Sequence, residues 1–78
     1  MSHAKLEKFA HMANQIGDAF IAQAPEQAAQ NAATHVRKFW TPKMIAETLA
    51  AIESGQISLN ETAAHGFVIL AKELATAG

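Results

Sequence analysis

Four histidines, His3, His11, His35 and His65, are the side chains in this sequence best suited to hold a metal ion or pass a proton near neutral pH. They fall in four different segments, and none has a second histidine one helical turn away, the spacing that sets two ligands on one face. No glycine-rich phosphate loop and no nucleophile elbow occurs. Cysteine is absent, which removes disulfides, thiolate metal sites and thiol nucleophiles together. The carboxylates read as helix surface and caps: Glu7 lies one turn before His11, and Glu61 stands at a capping position. None sits inside an apolar stripe, where burial would prepare it for acid–base work. The expectation is a chain with no catalytic residue, no cofactor and no metal site of its own.

Two clusters suit recognition better than catalysis. The first is Met12-Ala13-Asn14-Gln15-Ile16. Asparagine in mid-helix costs propensity, because its amide competes for backbone hydrogen bonds. Asn14 falls on the polar face, so packing offers no reason for it; either it is tolerated surface or its amide meets a partner's backbone. The second is Arg37-Lys38-Phe39-Trp40-Thr41-Pro42-Lys43-Met44, where the only tryptophan, half of the bases and a soft methionine crowd one helix junction. Tryptophan, arginine and methionine are enriched in interface cores. In the plainer reading Trp40 staples the junction, Phe39 packs inside and the bases are solvated; one indole can also staple with one edge and present the other. The expected docking residues are Met12, Asn14, Gln15, Arg37, Lys38, Trp40, Lys43 and Met44.

The elements that must position them are helices. Tyrosine is missing and valine occurs twice, while alanine, the best helix former, occurs eighteen times in 78 residues. Two prolines and Ser54-Gly55 divide the chain into helices over about 4–22, 26–40, 42–54 and 59–76. The fold expected is all-α, a small four-helix, bundle-like single domain spanning 1–78. Leu6, Phe9, Ala13, Ile16 and Phe20 form the first apolar stripe, with Met12 on its flank. Ala29, Ala32, Ala33, Val36 and Phe39 share the inner face of the second helix. Thr41 caps the third helix ahead of Pro42, and Trp40 and Ile45 are spaced as a hydrophobic staple. Ile45, Leu49 and Ile52 form its stripe, and Met44 stands about 100° to one side. Ser58-Leu59-Asn60-Glu61 reads as a capping box for the last helix. That helix turns Ala63, Phe67, Leu70, Ala71 and Leu74 inward and leaves Ile69 in water.

Composition sets the scale. Leu, Ile, Val and Phe total seventeen residues, a thin core for a chain with no disulfide, so a partner is the leading way to stabilise it. Seven acids against six bases leave no broad cationic surface for phosphates. Residues 28–43 hold Arg37, Lys38 and Lys43 with no acid, whereas residues 44–78 hold four glutamates against Lys72. A protein partner with a local acidic patch fits this better than nucleic acid. The start shows no signal-peptide pattern, and Phe67-Val68-Ile69-Leu70 is far too short to span a bilayer, so a cytoplasmic protein without membrane contact is expected.

The two clusters, in their order and spacing, carry a family resemblance. Met12-Ala13-Asn14-Gln15-Ile16, then Pro25, His35-Val36-Arg37-Lys38 and Phe39-Trp40-Thr41-Pro42-Lys43-Met44 resemble the delta subunit of soluble, NAD-dependent, molybdenum-containing formate dehydrogenases. Members of that family show a similar Met-Ala-Asn-Gln-Ile helix and a Phe-Trp-Asp-Pro-Arg-Met junction. The likeness covers residues 5–53. Thr41 stands where the family has aspartate, which keeps the cap and loses a charge. Lys43 replaces arginine, which turns a bidentate contact into a point charge.

The resemblance implies an accessory subunit without a redox centre. Such subunits accompany a large catalytic alpha subunit that holds a molybdopterin cofactor and iron–sulfur clusters, and they support its assembly, cofactor loading or stability. The residues alone leave two other classes open. One is a free-standing homodimeric helical assembly factor that meets partners transiently. The other is a helix-turn-helix DNA binder, which the three clustered bases and acidic second half disfavour.

Overall fold

Two prolines and one glycine stand where the helices begin and end. The computed structural model describes residues 4–77 and shows α1 (Ala4–Ala19), α2 (Pro25–Phe39), α3 (Pro42–Glu53) and α4 (Glu61–Ala77). Among the described residues there is no strand. Pro25 and Pro42 occupy the first turns of α2 and α3, where a missing N–H costs nothing. Thr41 caps α3 as expected, its Oγ1 accepting from the Met44 N–H at 3.1 Å. At the other end of α3 the Gly55 φ of 77° supplies the left-handed turn. Gln56 N–H then reaches Ala51 O at 2.9 Å and Gly55 N–H reaches Ile52 O at 3.1 Å, the paired bonds of a Schellman motif.

Two boundaries differ from the sequence reading by more than one residue. α1 ends at Ala19 rather than near residue 22, because its last turn tightens into bonds such as Phe20 N–H to Gly17 O at 3.2 Å. α4 starts at Glu61, and its cap is Asn60, not Ser58: Asn60 Oδ1 accepts from Ala63 N–H at 2.9 Å. Glu61 is therefore the first helical residue, where its charge faces the positive end of the helix, and the capping box does not form.

α4 packs most extensively on α2 and next on α1, while α3 packs on α1. The α2–α4 seam is made of small residues. Ala28, Ala29, Ala32 and Ala33 are all buried, and Gly66 of α4 sits so close that a Cβ there would lie 3.2 Å from Ala32 Cβ. Around this seam Phe9, Val36, Trp40, Ile45, Phe67 and Leu70 form the bulky part of one core. Trp40 is its centre, with ring centroids 5.8 Å from Phe9 and 5.6 Å from Phe67. Trp40 and Ile45 are buried in the same cluster, as the staple requires.

Several inward assignments change. Phe39 is 70% exposed, because the chain turns extended at Trp40 and the indole takes the inward place that follows Val36. Ala71 and Leu74 are exposed, since Leu70 is the last residue of α4 with core to meet. Ile69 is half-buried against the core, one turn beyond Gly66, and Val68 is the residue left in water. Thr48, unremarked in the sequence, is fully buried and donates its hydroxyl to Met44 O at 2.8 Å.

Candidate functional site

The two recognition clusters meet in space. Met12, Gln15, Ile16 and Ala19 of α1, with Phe20 just beyond it, form one wall of a groove of about 490 Å³. His35 and Phe39 of α2 form the other wall, and an edge of Trp40 lies at the bottom. Met12, Ile16 and Phe20 are four apart, as are Gln15 and Ala19, a spacing that places them on one side of the helix. His35 and Phe39 are also one turn apart, and their rings pack at 4.7 Å between centroids. That contact holds a largely exposed phenyl ring in a fixed orientation at the rim.

The expected docking residues divide into three groups. Met12 and Gln15 line the groove, with Gln15 exposed and Met12 half-buried. Lys38 and Lys43 are exposed and have no carboxylate partner among the described residues. Asn14, Arg37, Met44 and Trp40 are already engaged within the chain. Asn14 Oδ1 accepts from Asn60 N–H at 2.7 Å, and its backbone oxygen accepts from Asn60 Nδ2 at 3.0 Å. Its amide does meet a backbone, but that of its own chain. Arg37 forms a two-point contact with Glu73 of α4, at 3.2 Å from Nε and 3.0 Å from the terminal nitrogen. Met44 is half-buried against the core. Trp40 is only 6% exposed, so the groove sees one edge of it and no free face.

Sequence reasoning missed Ile16, Ala19, Phe20, His35 and Phe39 as groove residues. The available signal was the His35–Phe39 pair, one turn apart and directly before the helix-ending Trp40. A second groove of about 640 Å³ lies between α2 and α4 and includes Glu26, Gln30, His65 and Val68. Its lining includes the carboxylate of Glu26, whereas the first groove's lining has none; neither is lined by lysine or arginine.

Among the described residues no group of three His, Asp or Glu side chains converges to hold a metal ion. His3 lies outside the described residues. No helix among them is long and apolar enough to cross a membrane. The groove's geometry suits binding an apolar segment; it brings no nucleophile and base together.

Residues 8–66 match the family model described as NADH-dependent formate dehydrogenase delta subunit FdsD. That span takes in the whole groove and the Asn14–Asn60 tie. No curated protein and no solved structure matches the chain.

Proposed function

Since the chain belongs to the delta-subunit family of NADH-dependent formate dehydrogenases, we propose that it is a non-catalytic accessory subunit docking on the catalytic alpha subunit in the cytoplasm. There it supports assembly, molybdenum cofactor loading or stability of the enzyme. The observation that carries this reading is the family match over residues 8–66, whose span includes an apolar groove with a large exposed phenyl ring at its rim. Exposed apolar surface on a chain this small favours a partner that covers it.

The test is co-expression of the other formate dehydrogenase subunits with and without this chain. Complex made with it should contain more molybdenum or survive heating better, and the chain should co-elute with the alpha subunit. Equal yield, metal content and thermal stability in both preparations, without co-elution, would overturn the proposal.

The exposed Phe39, Val68 and Leu74 favour a second reading, a self-associating assembly factor that leaves before the enzyme matures. Native mass of the purified chain separates the two: a stable dimer that never co-elutes with the alpha subunit supports this one.

A further inference from the structure

The groove between α1 and α2 is apolar along its length and basic at its margins. From Met12 to Phe20, just past the end of α1, this wall covers eight residue steps, about 12 Å or two helical turns. Its lining contains no carboxylate. Lys8 stands one turn before Met12 on the same face of α1, and Lys38 lies one turn beyond His35 on α2. Both lysines are exposed, and neither has a carboxylate partner among the described residues. Two other bases are neutralised within the chain: Lys5 pairs with Glu47 at 3.1 Å, and Arg37 with Glu73 at 2.9 Å. Lys43, three residues past Trp40, is the third exposed base without such a partner.

We propose that this groove receives an amphipathic helical segment of the partner, with apolar anchors over Met12, Ile16 and Phe39 and carboxylates on its flanks opposite Lys8 and Lys38. The proposal rests on the reading of the chain as a docked subunit and names the surface and chemistry of that docking. A two-turn apolar trough matches the anchor spacing of a helix laid in a groove. Methionine adapts to the anchor's shape, while the His35–Phe39 pair, its rings tilted at 38°, forms an aromatic edge opposite. The lysines select for acidic flanks, because a basic segment would meet like charge with nothing in the groove to offset it. The α2–α4 groove differs in that the carboxylate of Glu26 is part of its lining, where it would repel an acidic flank.

The test uses the full chain co-expressed with the formate dehydrogenase alpha subunit. A photo-crosslinking amino acid replaces Gln15 in one version and Gln30, in the α2–α4 groove, in another. The Gln15 version should crosslink to a stretch of the alpha subunit with apolar residues at helical spacing and Asp or Glu beside them. Phe39→Ser, and separately Lys8→Glu with Lys38→Glu, should each lower capture of the alpha subunit by about tenfold or more at low salt while far-UV circular dichroism stays unchanged. Crosslinking confined to the Gln30 version, a captured segment without carboxylates, or undiminished capture by both variants would overturn the groove assignment and leave the subunit reading standing. Failure of the unaltered chain to capture the alpha subunit at all would overturn the subunit reading.

Discussion

The side-chain oxygen of Asn14 lies 2.7 Å from the backbone nitrogen of Asn60, so the middle of α1 holds the residue that caps α4, forty-six positions later. Asn60 uses its whole amide in return. Its oxygen caps Ala63, and its nitrogen donates to Asn14 O and to Asp18 Oδ1, the latter at 3.2 Å. One side chain thus serves both as helix cap and as a clamp between two helices.

Removing either partner should expose this double use. Asn60→Ala loses the cap and the clamp and should cost about 2–3 kcal/mol, whereas Asn14→Ala loses one acceptor and should cost about 1–2 kcal/mol. The double substitution should cost clearly less than the sum, because both changes break the same contact. Urea unfolding of the four proteins measures all three quantities, and strict additivity would show that the contact contributes nothing.

Gly17 faces the same cap. A Cβ there would overlap Asn60 Oδ1 and come within 3.0 Å of the Ala63 nitrogen. Glycine-to-alanine changes inside helices ordinarily stabilise by roughly 1 kcal/mol. Gly17→Ala should instead destabilise, by about 1–3 kcal/mol, because the cap must move aside. Gly66→Ala should cost less, since its nearest neighbour would be the Ala32 methyl group at 3.2 Å. Thermal melts of the two variants test the order.

Trp40→Ala should act on folding before it acts on association. The indole is buried between Phe9 and Phe67, and truncating such a residue costs about 3–5 kcal/mol. That is roughly all that a core of this size supplies. The variant should show weak helical circular dichroism at room temperature, with Trp40→Phe keeping much of the signal. A fully folded Trp40→Ala would show that the aromatic trio is dispensable.

Arg37→Ala should change stability by less than about 1 kcal/mol, because the pair with Glu73 is exposed on both sides. Thr41→Ala, which removes one hydrogen bond at the start of α3, should cost about 1 kcal/mol. Denaturant midpoints of the two variants should therefore fall in that order, with the Arg37 change shrinking further as salt is added.

The helices were legible because their ends are written in local chemistry: Pro25, the Thr41-Pro42 cap and the Gly55 turn each act within a few residues. The inner alanines of α2 were legible too, and their small side chains let Gly66 of α4 come close. Long-range choices were not legible. Ser58 and Asn60 are both good caps, and the bond from Asn60 to Asn14 decides between them. Phe39 and Trp40 compete for one inward place, and only the turn of the backbone after α2 awards it to the indole. The same choice moves Phe39 outward and creates the groove's rim, which is why Phe39 and its neighbour His35 were missed.

The position of Trp40 between Phe9 and Phe67 has a consequence for timing. During synthesis α1 and α2 leave the ribosome first, so both walls of the groove exist as chain well before Phe67 is made. Until then the indole has Phe9 on one side and nothing on the side that Phe67 fills, and the part of α2's alanine face that meets α4 is uncovered. The groove is therefore completed by the last quarter of the sequence, although its lining contains no residue from there. Until α4 is in place the groove has no finished floor.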